Sequence, residues 1–283
     1  MRLIGCGDSW AWGAELVDPN EEPVPIMKLE GDNFWRQIKP INTAYREKHR
    51  YINILGNKLN ATEVVDLSKP AYSNEAIFRV LLQWLSQEGY TEGRDTSELF
   101  VSVGWSSPER REFYTNRGKA ENFEEYYFEF GPWSAERKHG DDDWDKFFKL
   151  YVLHFWKEKE FIRRWIHDVY KTEVLLKHLG IKYLMHQAFY HHYLQPIHHW
   201  DDKTYKEKGF RDVELADKKL WATIDSTRFV NKDDNEIGTC HHYLLKQVNN
   251  DKSKVLLEWH PNEYGHQLWA DYLYDYITKN NLC

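Results

Sequence analysis

The chain opens with the stretch MRLIGCGDS, Met1 to Ser9, in which a short apolar run ends in a Gly-Asp-Ser turn. A short apolar run bounded by turn residues predicts a buried strand, here residues 2 to 6. Side chains that directly follow a strand of a parallel sheet lie at its carboxyl edge, where open α/β sheets bind ligands. Ser9 is therefore predicted to lie in a crevice at the end of the first strand.

Strands and helices are predicted to alternate along the rest of the chain. The apolar patterns predict further strands at residues 63–67, 99–103 and 181–186. Between them they predict helices at about 73–87 and along 144–179, the latter ended by Gly180, and a last helix after residue 262. This alternation is typical of a mostly parallel sheet covered on both faces. We predict a three-layer α/β/α fold and one domain over residues 1–283.

Two parts of the sequence do not fit this minimal plan. Residues 13 to 50 contain four prolines and mixed charge, and we predict an elaborated loop region there. Residues 108 to about 160 are unusually rich in aromatic residues, which alternate with acidic ones. We predict that they form a helical insertion, in which most of the rings pack together. Because insertions at strand ends border the site of an α/β protein, this segment is also a candidate for substrate contact.

Composition limits the partners of this protein. A formal net charge of -7 and a pI near 6.1 disfavour nucleic-acid binding, which needs a concentrated basic surface. No stretch of about 18 apolar residues predicts a membrane span. The first residues reach Gly5 and Asp8 too soon for a secretory signal, and three widely separated cysteines form no disulfide framework. We expect a cytoplasmic or virion-associated protein with no nucleic-acid or membrane partner.

A histidine near the other end of the chain could activate Ser9. A serine hydroxyl is a weak nucleophile until an imidazole accepts its proton, and a carboxylate must orient that imidazole. His260 immediately precedes Pro261, which starts the last helix, and Glu258 is two residues earlier. Ser9 as a simple turn cap and His260 as an exposed residue before a helix are the alternatives without catalysis.

Gly-Asp-Ser after the first strand, together with His-Pro-Asn-x-x-Gly-His at residues 260–266, resembles the first and last sequence blocks of the SGNH (GDSL-type) hydrolase superfamily. Within it, the chain is similar to members found in bacteriophage genomes. The resemblance implies a flavodoxin-like sheet and ester or deacetylase chemistry. It also implies an oxyanion hole formed by the backbone N–H of the nucleophile, a glycine N–H from a second block and an asparagine side chain from a third.

The sequence departs from the superfamily pattern in three places. Ala71 stands where the second block has its glycine, and Ser106 stands where the third block has its asparagine. In the last block the usual acid position, three before the histidine, is Leu257, so Glu258 replaces it or the site is a dyad. The catalytic group is thus Ser9, His260 and Glu258, and the predicted oxyanion donors are Ser9, Ala71 and Ser106. The supporting residues that we predict are Asp8, Asn74, Gly104 and Trp105.

The sequence therefore predicts a serine esterase that hydrolyses a small ester, with O-acetyl groups on a carbohydrate as the substrate. We expect no cofactor and no metal. One alternative is a non-catalytic protein of the same fold that binds glycan or another protein, with virion or homo-oligomer contacts. Another is a metal-dependent hydrolase that uses paired histidines at 191–192, 198–199 and 241–242, although adjacent residues in a strand point to opposite faces.

Overall fold

The computed structural model describes residues 1–16, 18, 43–114, 127–130, 142–155, 157–188, 217–234, 237–257 and 260–283. The strands in these residues are β1 (Arg2–Cys6), β2 (Glu63–Asp66), β3 (Leu99–Trp105), β4 (Arg111–Tyr114), β5 (Tyr127–Phe130) and β6 (Lys182–Gln187). The α-helices are α1 (Ser9–Trp12), α2 (Thr43–His49), α3 (Tyr51–Lys58), α4 (Asn74–Gln87), α5 (Asp142–Phe155), α6 (Glu158–His178), α7 (Lys218–Thr223), α8 (Cys240–Gln247) and α9 (Glu263–Lys279). Two short 3-10 helices lie at Tyr90–Glu92 and Lys252–Lys254.

The main sheet is parallel and has the strand order β2-β1-β3-β6. This is the order that begins a flavodoxin-like sheet, in which the chain reverses its direction of progress between β1 and β3. Residues 228–230 continue the sheet beyond β6, because Met185 N donates to Arg228 O and Val230 N donates to Met185 O, each at 2.8 Å. The crevice at the carboxyl ends of β1 and β3 is the place where such sheets bind ligands.

Helices cover both faces of the sheet. Alternate residues of the strands point to opposite faces, so Ile4 and Val101 pack against one set of helices and Leu3 and Phe100 against another. The first set contains buried residues of α4, α6 and α7, and the second contains buried residues of α3, α8 and α9. The predicted three-layer α/β/α fold is confirmed.

The predicted elements are close to the observed ones. The helix predicted at 73–87 begins at Asn74, because the Ser73 hydroxyl accepts from Ala76 N at 3.1 Å and caps it. Strand β3 continues two residues past the predicted end, to Trp105. The helical pattern predicted over 144–179 is two helices, α5 and α6, and α6 ends before Gly180, whose φ is 67°.

The insertion contains strands as well as a helix. We predicted it to be helical, but β4 and β5 pair antiparallel before α5 begins. Aromatic residues favour strands as much as they favour a helical core, so the dense aromatic pattern did not separate the two. Strand β4 is tied to α4 by ion pairs, Arg79 to Glu112 and Glu75 to Arg111, both at 2.8 Å. These two ion pairs fix the insertion beside α4.

Candidate functional site

Ser9 lies on a tight turn at the carboxyl end of β1. The Asp8 carboxylate accepts from Trp10 N at 2.9 Å and so caps the one-turn helix α1, which starts at Ser9. The chain turns back after four residues, because Gly13 adopts a left-handed φ of 77°. Ser9 is 4% exposed and therefore buried in the structure.

His260 lies in a loop that is held from both sides. Leu257 N donates to His260 O and Asn262 N donates to Val255 O, each at 2.9 Å. The Asn262 side chain accepts from Gly265 N at 2.8 Å and caps α9. These bonds present the imidazole to β1, and its Nε2 lies 2.9 Å from Ser9 Oγ. The structure therefore brings together two residues that are 251 positions apart in the chain.

The second nitrogen of this imidazole faces a carboxylate that the sequence analysis missed. Glu15 Oε1 lies 2.9 Å from His260 Nδ1, and Glu15 Oε2 accepts from the His260 backbone N–H at 3.3 Å. The Nδ1 and Oε1 atoms are close, but their alignment does not meet the geometry of a hydrogen bond. Such contacts often become straighter when substrate binds.

Glu15 reaches this position through an unusual backbone. Its φ is 68°, a left-handed conformation that residues with a Cβ adopt only at a cost. It follows Gly13, where a Cβ would lie 2.9 Å from Leu16 Cδ1 and 3.0 Å from side-chain atoms of Arg46 and Arg50. The signal in the sequence is a glycine and an acid within six residues of Ser9, which is visible only once the turn is known to fold back.

The sequence-predicted acid, Glu258, lies outside the described residues, together with Trp259. Leu257, at the position where the superfamily has its acid, is 48% exposed. In the described residues, the carboxylate that meets His260 is that of Glu15.

Ala71, which we predicted as an oxyanion donor in place of a glycine, has a left-handed backbone conformation that glycine adopts readily. Its φ is 70°. Its loop runs alongside the nucleophile turn, because Leu67 N donates to Gly5 O at 2.7 Å and Lys69 N donates to Gly7 O at 3.2 Å. Among the residues that the structure describes, neither the N–H of Ala71 nor that of Ser9 has a hydrogen-bond acceptor. Both donors are available to an oxyanion.

Ser106, which we predicted as an oxyanion donor, has its hydroxyl bonded to Asp8 in this structure. Its hydroxyl has a single proton, and that proton is donated to Asp8 Oδ2 at 2.6 Å. The same hydroxyl oxygen accepts from Arg110 Nη1 at 2.9 Å. Because the nearby carboxylate is the stronger acceptor, Ser106 is bound into an ionic cluster and is not assigned to the oxyanion hole.

The other residues that we predicted to support the site are Asn74, Gly104 and Trp105. Asn74 is buried, accepts from Ser106 N at 2.8 Å and donates to Ser106 O at 3.1 Å. Gly104 makes room for the ring of His186 on the neighbouring strand β6, because a Cβ there would lie 2.8 Å from the imidazole Cε1. Trp105 is fully buried in the core. These three residues hold the loop after β3 in place.

Only one of the three histidine pairs lies within the described residues. Those at 191–192 and 198–199 lie outside the described residues. His241 lies in the first turn of α8, with its ring 5.7 Å from that of Trp10. Within the described ranges, no three His, Cys, Asp or Glu residues are grouped as metal ligands. In the same ranges, no helix has both the length and the apolar character of a membrane span.

Comparison with solved structures gives weak overlays that extend over almost the whole chain. The psychrotrophic esterase EstA from Pseudoalteromonas sp., in a structure inhibited by monoethylphosphonate, is similar with a TM-score of 0.45 and 11% identity, covering 98% of this chain and 97% of that chain. TesA gives a TM-score of 0.45 and 10% identity, covering 99% of each chain. The acetyl xylan esterase AlAXEase gives a TM-score of 0.40 and 12% identity, covering 97% of this chain and 98% of that chain.

Sequence comparison gives a family but no characterised relative. No curated protein matches this chain. A family model described as a family of unknown function, DUF6071, matches residues 36–282, which includes His260 and begins after the Gly-Asp-Ser turn. This chain belongs to the DUF6071 family.

Proposed function

We propose that this protein is a serine hydrolase that cleaves a small ester, with Ser9 as nucleophile, His260 as general base and Glu15 as the acid that orients His260. The observation that carries the proposal is the 2.9 Å contact between Ser9 Oγ and His260 Nε2 at the carboxyl edge of the sheet. A nucleophile, a base and an orienting group within hydrogen-bond reach are the signature of nucleophilic catalysis.

The contacts support one direction of proton transfer. With the Nδ1 proton of His260 facing Glu15, Nε2 is the basic nitrogen and accepts the proton of Ser9. Ser9 Oγ then attacks the ester carbonyl, and His260 returns the proton to the departing alcohol. Water, deprotonated by the same imidazole, cleaves the acyl-enzyme and restores the Ser9 hydroxyl.

The negative oxygen formed in each step would accept from the backbone N–H groups of Ser9 and Ala71. Both donors lack acceptors among the described residues, and the left-handed φ of Ala71 matches the glycine that it replaces. The third donor of the superfamily pattern is missing, because Ser106 is bound to Asp8. Loss of one donor typically costs about 2.7 to 4 kcal/mol of barrier, so we expect slow turnover.

The burial of the site supports a small acyl group. The Ser9 side chain is almost fully buried, and those of His260 and Glu15 are 18% and 15% exposed. An acetyl group fits such a buried site better than a long chain. Leu257 and Tyr264, on either side of His260 in the chain, are about half exposed and offer apolar surface to the alcohol part of the substrate. An O-acetylated carbohydrate, whose rings have apolar faces, is the substrate class that we propose.

The experiment is turnover of p-nitrophenyl acetate by the wild type and by Ser9→Ala and His260→Ala. We expect both variants to lose nearly all activity, and we expect p-nitrophenyl butyrate to be a poorer substrate for the wild type. Ser253→Ala and His178→Ala are matched controls, because both side chains are exposed and neither belongs to the proposed site. Equal rates in the wild type and the two site variants would contradict the proposal.

The second candidate function is that of a non-catalytic protein of the same fold that binds a glycan or a protein partner. The observation in its favour is the commitment of Ser106 to Asp8, which removes one oxyanion donor. A folded wild type that neither turns over esters nor reacts with a fluorophosphonate at Ser9 would support this candidate.

A further inference from the structure

A charge-compensated cluster lies directly behind the proposed nucleophile. Asp8 precedes Ser9 and has no exposed surface. Its Oδ2 lies 3.0 Å from Nη1 of Arg110, and the same oxygen accepts the Ser106 hydroxyl at 2.6 Å. Arg110 Nη1 also donates to Ser106 Oγ at 2.9 Å. Two side chains from the loop after β3 therefore share the buried carboxylate that follows β1.

The carboxylate of Asp8 is fixed in this position. Its Oδ1 accepts from Trp10 N at 2.9 Å, so Asp8 cannot turn away without uncapping the turn that carries Ser9. On the other side, Asn74 holds both backbone groups of Ser106, and Arg110 N donates to Ser107 O at 3.3 Å. The negative charge of Asp8 is thus held one residue from the nucleophile.

That charge matters for the reaction proposed above. Attack by Ser9 places a negative charge on the carbonyl oxygen of the substrate, beside the N–H of Ser9. An uncompensated carboxylate nearby would repel this charge, and the interaction is strong where water is excluded. A positive group beside Asp8 compensates its charge, so the carboxylate no longer repels the developing oxyanion. This compensation is present before the reaction starts, as preorganised electrostatic stabilisation requires.

Resting on the proposed hydrolase function, we infer that Arg110 is a positioning residue that neutralises Asp8 and so makes the nucleophile turn compatible with an anionic transition state. It acts through Asp8 and Ser106 and not by contact with the substrate. The protein thereby has an Asp8–Ser106–Arg110 cluster behind its nucleophile, in the region where the superfamily pattern has a neutral asparagine.

The inference predicts a specific pattern of kinetic constants. Arg110→Gln leaves Asp8 without its positive partner, so kcat for p-nitrophenyl acetate should fall about 10- to 100-fold while KM changes less than about 3-fold. Asp8→Asn in the same chain removes the charge but keeps a good helix cap. The double variant should therefore recover about 10-fold of the lost kcat. Arg111→Gln is the matched control, because Arg111 pairs with Glu75 at 2.8 Å. This variant should keep wild-type kcat.

A second measurement separates electrostatics from folding. Phenylboronic acid forms a tetrahedral anion on an active serine, so its inhibition constant should rise about 10-fold or more in Arg110→Gln and return towards the wild-type value in the double variant. Circular dichroism establishes that each variant is folded. A double variant as slow and as weakly inhibited as Arg110→Gln, with both folded, would overturn the inference while leaving the hydrolase function intact. Absence of activity in the folded wild type would overturn both.

Discussion

Glu15 is the residue on which the proposed charge arrangement of the site depends most. Its carboxylate contacts both the Nδ1 and the backbone N–H of His260, and it stands only six positions after Ser9. The proposed nucleophile and the proposed orienting acid are therefore close together in the chain, while the proposed base comes from near its other end. A small change in that segment should alter two of the three groups together.

Glu15→Gln should lower kcat about 100- to 10,000-fold, with little change in fold. The amide has no negative charge to stabilise the imidazolium, and it can bind the wrong imidazole tautomer. Glu15→Asp, which keeps the charge on a shorter side chain, should recover part of the activity. Steady-state hydrolysis of p-nitrophenyl acetate gives the comparison. A larger loss in Glu258→Gln than in Glu15→Gln would show that the acid is Glu258.

Gly13 can be compared with a second glycine of the same backbone conformation. Gly13 and Gly89 have φ values of 77° and 78°, but a Cβ on Gly13 would meet three side chains at 2.9 to 3.0 Å, whereas one on Gly89 meets no atom within 4 Å. We expect Gly89→Ala to lower the free energy of unfolding by about 1 kcal/mol, the cost of left-handed backbone alone.

Gly13→Ala should cost about 2 to 3 kcal/mol and should also reduce kcat, because the turn that carries Ser9 and Glu15 must shift. Urea unfolding and ester hydrolysis measure the two effects. Equal losses of stability in the two glycine variants would show that crowding at Gly13 is unimportant.

At the scale of elements, the start of α9 fixes the position of the general base. Asn262 is two residues after His260. Its side chain accepts from Gly265 N at 2.8 Å and donates to Lys254 O at 3.0 Å. Asn262→Ala should lower the free energy of unfolding by about 1 kcal/mol and lower kcat about 10-fold or more. Thr239→Ala removes the comparable cap of α8 and should cost similar stability with a smaller change in kcat. Similar kcat losses in both would argue against a specific role for the α9 cap.

The sequence predicts most elements because their patterns are local. The apolar run after Met1, the Ser73 cap and the Pro261-Asn262 helix start depend on neighbouring residues alone, and the observed bounds differ by one or two residues. Strands β4 and β5 were missed because aromatic residues do not distinguish a strand from a packed helix. Strands β4 and β5 form by pairing with each other across the residues between them, and a local sequence pattern does not reveal such pairing.

The sequence predicts the site in part. The first and last sequence blocks predict Ser9 and His260 as the reacting pair, and in the structure Ser9 Oγ and His260 Nε2 lie within hydrogen-bond reach. Glu15 and the Asp8–Ser106–Arg110 cluster could not be found this way, because each depends on a contact between distant residues and on a backbone turn with positive φ. A search for the acid in the loop before His260 predicts Glu258, which lies outside the described residues.

At the scale of the whole molecule, two buried histidines make stability depend on pH. His186 and His266 are almost fully buried, and burial lowers the pKa of each to about 3. Positive charges on His260, Arg50 and His49 lower the pKa of His266 further. Their pKa in the unfolded chain is about 6.5. The unfolded state therefore binds more protons between these values, and stability falls as the pH decreases from about 6.5 towards 3.

We expect each of these histidines to contribute a loss of about 1.4 kcal/mol per pH unit over that range. Buried carboxyl groups whose pKa is raised by burial, such as those of Asp66 and Glu109, act in the opposite direction. The difference between the wild type and His266→Gln isolates the histidine. Urea unfolding at pH 7 and pH 4.5 should show a weaker pH dependence for the variant, whereas an unchanged dependence would contradict a neutral, buried His266.

The most direct test of the account is covalent labelling of the wild type with a fluorophosphonate, followed by mass spectrometry of the intact protein and its peptides. The account predicts a single adduct on Ser9, greatly slowed labelling in His260→Ala, and normal labelling in Ser253→Ala. A folded wild type that remains unlabelled, or is labelled on another residue with Ser9 unmodified, would contradict the central claim that Ser9 is a nucleophile activated by His260.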